Sequence, residues 1–472
     1  MKRIVKAVWG KLIPGTRVRC LALSAAASIV LHAQNFTPIF SFDGADGMSP
    51  YGRLIQGADG NLYGTTVTGG ANYFGSVFKI TPGGKFTTLY SFCSQSGCAD
   101  GELPEAGLVK ACNGDFYGTT NSGGAYGAGT IFRITRAGTL TTLYSFNGQD
   151  AGYPTAGLIQ AADGDLYGTT TRGGPYLYDG TIFKITPNGA FTLVHTFNGT
   201  DGNYPSAALV QGFGGDFYGT TSEGGGSAGS GTIFRITRGG ALTTLHIFDG
   251  TNGEDPGAPL IQASDGNFYG VTEFDTVAGH GTIFRITPDG TFTSLHTLDD
   301  TDGGVSTAAL VQATDGDLYG TTQSYGVLGF GTIFKITLNG VFTTVHTFAG
   351  GAGGESPVAG LIQDTNGDFY GTTGAGGDNG MPGSGVIFRF SEGLSPFVET
   401  WPVIGKVGEI VRILGTNLAG ATSVTFDGTP ATFGVISPSE IVAEIPTGAK
   451  SGTVQVVTHG DTLSSNVPFR VL

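Results

Sequence analysis

The sequence predicts an all-β protein: a seven-bladed β-propeller closed by an N-terminal strand and followed by a small C-terminal β-sandwich. Three observations carry this expectation. The tetrad Tyr-Gly-Thr-Thr recurs seven times, beginning at Tyr63, Tyr117, Tyr167, Tyr218, Tyr269, Tyr319 and Tyr370, once with Val271 in place of a threonine, at intervals of 50 to 54 residues. Around every tetrad, short segments rich in β-branched and aromatic residues repeat in the same order, bounded by Gly, Asn, Asp or Pro. From Pro396 onward the tetrad vanishes while strand-like alternation continues. A unit of about 40–50 residues repeated in tandem reads as propeller blades, because one small sheet cannot bury both faces until neighbours stack against it.

Residues 1–33 read as an export signal. Lys2, Arg3, Lys6, Lys11, Arg17 and Arg19 precede an apolar run from Leu21 to Leu31, too short to span a bilayer, and Ala33 offers a small residue for cleavage. The propeller is assigned to residues 36–390, a linker to 391–395 and the sandwich to 396–472. The third full unit shows the grammar. Gly157-Leu158-Ile159-Gln160, Leu166-Tyr167-Gly168-Thr169-Thr170, Gly180-Thr181-Ile182-Phe183-Lys184-Ile185-Thr186 and Phe191-Thr192-Leu193-Val194-His195-Thr196-Phe197 are four strands, a to d. Asp-Gly and Asn-Gly pairs supply the positive φ of two-residue hairpins between a and b and between c and d. Strand direction alternates, so the longer b–c and d–a connections share the opposite rim. The last unit ends after its c-like segment Val386-Ile387-Phe388-Arg389-Phe390, and a d-like segment, Phe36 to Phe42, precedes the first tetrad. The missing strand is therefore expected from the N-terminus, closing the ring and removing a free sheet edge.

The ordered recurrence of Gly-Leu-Ile-Gln, Asp-Gly-Asp-Leu-Tyr-Gly-Thr-Thr, Gly-Thr-Ile-Phe-Lys-Ile-Thr and Leu-His-Thr-Phe closely resembles the bacterial tandem repeat family called GloVer, over about residues 36–390. That resemblance implies an extracellular propeller and brings no catalytic residues with it. The segments Gly405-Lys406-Val407-Gly408, Val411 to Leu418, Val424 to Gly428, Ile445-Pro446 and Val454-Gln455-Val456 resemble an IPT/TIG domain, which implies an immunoglobulin-like sandwich used for contacts or as a spacer.

Loss of the leader takes Lys plus Arg from 23 to 17 against 37 Asp plus Glu, a net charge of −20. Nucleic acid is excluded as a partner, since phosphate binding rests on Lys and Arg displacing counterions. No second apolar segment follows the leader, so no membrane span is expected. The protein should be secreted, extracellular or periplasmic at the cell surface, with a carbohydrate or protein partner. In that oxidising setting Cys93 and Cys98, flanking four residues, are expected to form a local disulfide. Cys112 reads as a buried thiol at a turn.

Function should reside where the repeats disagree. Blade-specific residues on the b–c rim are Tyr73 and Phe74, Tyr126, Arg172 with Tyr176 and Tyr178, and Tyr325 with Phe330; aromatic tips beside polar groups suit stacking on sugar rings or gripping a protein loop. Covering Gly-rich loops is their equally weighted alternative role. Glu273, Asp275 and His280 form the only compact acid–base cluster in one loop, the basis of an alternative reading as a polysaccharide lyase or glycoside hydrolase. A purely structural surface protein is a third reading. No cofactor is expected. The d–a loop acids Asp43, Asp46, Asp299 and Asp302 are weak calcium candidates, with solvated Asx turns as the default. His195, His246, His296 and His346 share a position with Phe40, Tyr90 and Tyr144, which marks packing rather than zinc ligation.

Overall fold

Each tetrad forms the buried second strand of a four-stranded antiparallel sheet in the computed structural model, which describes residues 35–174, 179–226, 229–378 and 384–472. The expected leader, residues 1–33, lies outside the described residues. In the third repeat the strands are Ile159–Gln160, Leu166–Thr170, Thr181–Ile185 and Phe191–Thr196, paired in that order. Seven such sheets are built from the repeats, and the sheet containing Ile362–Gln363, Phe369–Thr372 and Val386–Ser391 takes Asn35–Ser41 as its outer strand. Strand a is only two residues long. Its upstream part is held off the ladder by a left-handed residue in every repeat, from Ser49 to Ser356, six of the seven followed by proline.

Every position of the tetrad makes a contact that joins strands or blades. The tyrosine ring packs on the residue that opens strand b of the next blade, an aromatic in four cases, as in Tyr63–Phe116 and Tyr167–Phe217 at 4.3 Å. In four blades its hydroxyl donates to the first acid of the a–b turn, as Tyr63 does to Asp59 at 2.9 Å and Tyr269 to Asp265 at 2.8 Å, and in two it accepts from an asparagine there, Asn113 or Asn366. Glycine admits a c-strand phenylalanine: a β-carbon at Gly168 would sit 2.6 Å from Phe183 Cζ. The third residue, wherever it is threonine, donates across the blade boundary, Thr65 to Ala106 O at 2.8 Å and Thr372 to Pro50 O at 2.6 Å among them. In six blades the fourth pairs with the hydroxyl that opens strand c, as Thr170 does with Thr181 at 2.7 Å.

The turns differ from two-residue hairpins. Gly60 N–H donates to Gly57 O and Gly57 N–H to Asn61 O, with Gly60 at φ +74°, so three residues form a turn closed by a left-handed glycine. Five of the seven c-strand cations pair with turn acids, as in Lys184–Asp165 at 3.2 Å and Lys335 at 2.8 Å from both Asp315 and Asp317.

An outer belt of stacked rings joins successive d-strands: Phe40 on Phe86, Tyr144 on Phe191, His246 on Phe292, His296 on Phe342, and His346 on Phe36, all within 4.2 Å. The histidines therefore pack, and His195 and His296 also bond Asp201 and Asp302 of the d–a loops at 3.0 and 2.8 Å. An inner belt uses the strand-a glutamines. Gln262 Oε1 accepts from Phe213 N–H of the preceding blade at 2.7 Å while its amide donates to Gly266 O at 2.8 Å, and Gln160, Gln211, Gln312 and Gln363 repeat the pattern. Gln56 joins the first blade to Thr365 of the last. Gln262→Ala strands both partners and is expected to cost about 1–2 kcal/mol in urea unfolding; an unshifted midpoint would remove the belt from this account.

The C-terminal sandwich places Val398–Trp401, Ile410–Gly415, Glu440–Glu444 and Phe433–Ser437 in one sheet and Thr429–Pro430, Ser423–Phe426, Val454–Val457 and Thr462–Ser464 in the other. Val411, Ile413, Phe426, Ile441, Val456 and Phe469 fill its core. It docks on the a–b turn face of the propeller. Ser439 donates to Ala58 O at 2.8 Å, Thr416 meets Thr365 at 3.2 Å, and Phe397 N–H donates to Thr365 O at 3.0 Å. Lys110, standing where six repeats have glutamine, is buried with its ammonium 3.9 Å from Glu399 and 5.2 Å from the Trp401 ring centre. Cys112 corrects the expectation of a buried thiol, being exposed on this turn face, although surrounding protein pushes its thiol pKa up.

Candidate functional site

The b–c and d–a connections lie on one face because each pair forms an antiparallel bridge within its blade, Met48 with Thr68, Gly152 with Arg172 and Glu254 with Phe274 among them. The opposite face carries the sandwich, so the long-loop face is the broad free surface of the propeller. Its side chains are unusual in one respect. Of the nine exposed aromatic residues among the described residues, eight lie on this face: Tyr51, Tyr73, Phe74, Tyr126, Tyr204, Phe274, Tyr325 and Phe330; the ninth, Phe213, sits on an a–b turn. Tyr73 and Tyr126, 78% and 69% exposed, stand on the b–c loops of adjacent blades. Arg172 lies over the Tyr153 ring at 5.2 Å. Tyr176 and Tyr178 lie outside the described residues.

The residues grouped as an acid–base cluster point in different directions. Asp275 is buried and accepts backbone N–H groups of Val277, Ala278, His280 and Gly281. Burial pushes its pKa up, but these four bonds outweigh it and hold the carboxylate below its ordinary value. It organises its own loop, and no oxygen of it is left to serve as a base. His280 turns to the neighbouring blade, its Nε2 3.1 Å from Asp300 and its ring edge-on to Tyr325 at 4.3 Å. Glu273 turns inward: a β-carbon at Gly257, which lines the central channel, would sit 2.8 Å from its Oε1. Burial first, then the nearby Asp255 carboxylate, raises its pKa to about 7. Sequence neighbours are thus separated because successive residues of the loop serve the channel, the loop backbone and the next blade.

The d–a loop acids are closed Asx turns. Asp43 Oδ1 accepts from Ala45 and Asp46 N–H while Asp46 Oδ1 accepts from Asp43 N–H. Asp299 Oδ1 accepts from Thr301 and Asp302 N–H, and Asp302 holds His296. A disulfide joins Cys93 and Cys98 in the d–a loop that follows the first complete blade, beside Asp100, whose carboxylate accepts from Tyr90 and from Ser94 N–H.

The strand-a residues enclose a central channel cavity of about 790 Å³, closed at its turn end by Phe397, Glu399 to Ile404, Asn466 and Val467 of the C-terminal region. Sequence reasoning names the central channel only as an alternative seat for an enzyme and gives none of these lining residues as site residues. The channel's signal was present in strand a: at the position of Arg53 the other six repeats carry Gly107, Gly157, Ala208, Pro259, Ala309 and Gly360.

The Gloeobacter/Verrucomicrobia repeat model matches residues 25–229 and 214–401, and the IPT/TIG domain model matches residues 397–471. Among solved structures, the extracellular domain assigned to a hybrid two-component system of B. thetaiotaomicron is similar at 11% identity and a TM-score of 0.51 over 93% of this chain. The chain spans 59% of that domain's length, and the likeness is one of fold. A Bacteroides uniformis protein assigned as a 6-phosphogluconolactonase aligns at 15% identity over 62% of this chain and 83% of its own, with a TM-score of 0.44. No curated protein matches the chain.

Proposed function

Because the chain belongs to the Gloeobacter/Verrucomicrobia repeat family, whose repeats here build a scaffold shared by every blade, we propose that its function is non-catalytic binding at the cell exterior, exerted by the long-loop face on a carbohydrate or protein ligand. The carrying observation is the segregation of exposed aromatic residues: eight of nine occupy that face. Tyrosine offers large contact area with few rotatable bonds, so little entropy is lost when a ligand orders it. Export through residues 1–33 is part of the same proposal and is supported by the Cys93–Cys98 disulfide, which suits an oxidising compartment. The C-terminal IPT/TIG domain serves as the base of the propeller.

The second reading, a carbohydrate-active enzyme, now rests on Glu273 alone, a carboxyl at the channel mouth with a pKa of about 7. A glycan array of plant and microbial polysaccharides probed with the full chain tests the first reading. Tyr73→Ala combined with Tyr126→Ala is expected to weaken the bound signal at least about tenfold, near 1.4 kcal/mol, with an unchanged melting temperature, while Phe213→Ala on the opposite face leaves it intact. Equal loss in both variants sinks the reading. Release of reducing ends that disappears in Glu273→Gln transfers the site to the enzyme.

A further inference from the structure

The channel holds one feature the loop-face reading does not use. Arg53 stands in strand a of the first blade at the level where every other blade contributes glycine, alanine or proline, and among the described residues it is the one arginine or lysine lining the cavity. Its flanking neighbours are both glycine. A β-carbon at Gly107 would lie 2.6 Å from Arg53 O, and one at Gly360 would lie 2.9 Å from Ala309 O and 3.6 Å from Arg53 Cδ. Nε donates to Leu361 O across the ring closure at 2.9 Å, which fixes the plane of the guanidinium. Among the described residues no acceptor meets its two Nη groups, and Arg53 is exposed to the cavity although protein surrounds it on every side. Burial lowers its pKa and the charge of Glu399 raises it; a guanidinium stays protonated inside proteins.

Three acids bear on the channel. Glu399 enters from the C-terminal domain, where Lys110 at 3.9 Å already holds it; Glu105 lies on the loop side, its pKa raised by burial; Glu273 sits at the mouth. None makes a hydrogen bond or an ion pair with Arg53 in the described structure. At the loop end, one level above Arg53, Tyr51, Thr155, Ser206 and Thr307 add hydroxyls. Thr155 and Thr307 spend their protons on Ser206 O and Val358 O at 3.4 Å and keep lone pairs free to accept. No described b–c loop residue lines the cavity, which leaves its loop end unroofed by those loops.

We propose that the central channel is a second binding site, one that takes a small carboxylic acid of sugar size, a hexuronate or the uronate end of an acidic glycan, with the carboxylate paired to the two Nη groups of Arg53 and the hydroxyls of the ring accepted by Thr155 and Thr307. A planar guanidinium with two parallel N–H donors matches a carboxylate better than any neutral group. A cavity of about 790 Å³ lined by apolar strand-a residues together with Arg53, five glutamines and several hydroxyls has the size of a small-molecule site and polar groups to orient a polar ligand. Of the exposed loop-face aromatic residues among the described residues, Tyr51 alone lines this cavity.

Calorimetric titration of the full chain with glucuronate and with glucose, in about 0.15 M salt, tests it. Glucuronate is expected to bind at least about tenfold tighter than glucose, Arg53→Gln to erase that preference, and Arg53→Lys to retain part of it. Gly157→Leu supplies an independent block: only Gly107 O lies within 4 Å of a β-carbon there, so the added side chain enters the cavity without disturbing the guanidinium. No heat with glucuronate, no preference over glucose, or unchanged glucuronate binding in a folded Arg53→Gln or Gly157→Leu variant overturns the proposal.

Discussion

A chain lacking Phe36–Phe42 is expected to melt at least about 10 °C below the intact protein or to be recovered as aggregate. The segment contributes Asn35–Ser41 as the outer strand of the last blade, paired with Val386–Ser391 through a register that runs from Asn35 opposite Ser391 to Ser41 opposite Val386. It also carries three rings that no other residue replaces. Phe36 stacks on His346 at 4.1 Å and packs on Phe348 and Phe388; Phe40 stacks on Phe86 at 4.1 Å; Phe42 is fully buried against Phe78 and Phe86. Phe42 is fully buried and Phe36 and Phe40 partly so, and at about 1.5–3 kcal/mol for a fully buried aromatic the three rings together contribute several kcal/mol, a large share of the stability of an ordinary domain. Deletion also bares Val386–Ser391 as an unpaired edge, which is why aggregation is the alternative outcome. Phe42→Ala alone should cost about 3–5 kcal/mol. Differential scanning calorimetry decides the matter, and coincident melting curves for the intact and deleted chains would refute this closure.

Acid should weaken the same closure. Burial lowers the pKa of His346 from 6.5 to about 4, so between those values the unfolded chain takes up a proton that the folded chain does not. Stability from the neutral stack on Phe36 is complete above pH 6.5 and declines as pH falls toward 4.

The all-β repeat architecture and its closure were legible because the same local signal is written seven times, and because Val386 to Phe390 ends a unit that lacks its last strand. Averaging over copies cancels the noise that obscures a single strand. What one repeat cannot show is what it touches. The glutamine closing each strand a recurs as regularly as the tetrad, yet its bond to the preceding blade appears only once blades are side by side, and Lys110 acquires meaning only when Glu399, 289 residues away, arrives beneath it. The exposed rim aromatics could be read as blade-specific departures. Glu273, Asp275 and His280 misled because closeness in sequence was taken for closeness in space, and a loop residue such as Asp275 is spent on backbone N–H groups invisible to side-chain pattern. Arg53 was missed for the opposite reason: its importance lies in the smallness of six residues elsewhere.

Asp364→Ala is expected to stabilise the protein by about 2–4 kcal/mol at pH 8 and by almost nothing at pH 4. Asp364 follows the last strand a, where the other repeats carry Gly57, Ala111, Ala161, Gly212, Ala263 and Ala313, so the fold itself asks only for a small residue. It is 2% exposed, covered by the chain that enters the C-terminal domain, and its Oδ1 has no hydrogen-bond partner. Burial raises its pKa from 3.8 to about 7; the backbone N–H groups of Thr365 and Asn366 pull it down, and the carboxylates of Asp368 on its own turn and Glu399 on the docked domain add to the rise. The cations nearby are already engaged, Arg389 with Asp368 at 3.2 Å and Lys110 with Glu399 at 3.9 Å. Between pH 3.8 and 7 the folded chain holds a proton on Asp364 that the unfolded chain has released, so stability is greatest below that window and is lost as pH rises through it. Three units at about 1.4 kcal/mol each set an upper bound near 4 kcal/mol, reduced as the interface relaxes around the ionised group. Alanine abolishes the titration, and the gain should therefore grow across the window. Urea unfolding of both proteins at pH 4, 6 and 8 gives the difference directly; a gain that stays constant with pH would show that Asp364 is ionised throughout and that the docked domain does not desolvate it.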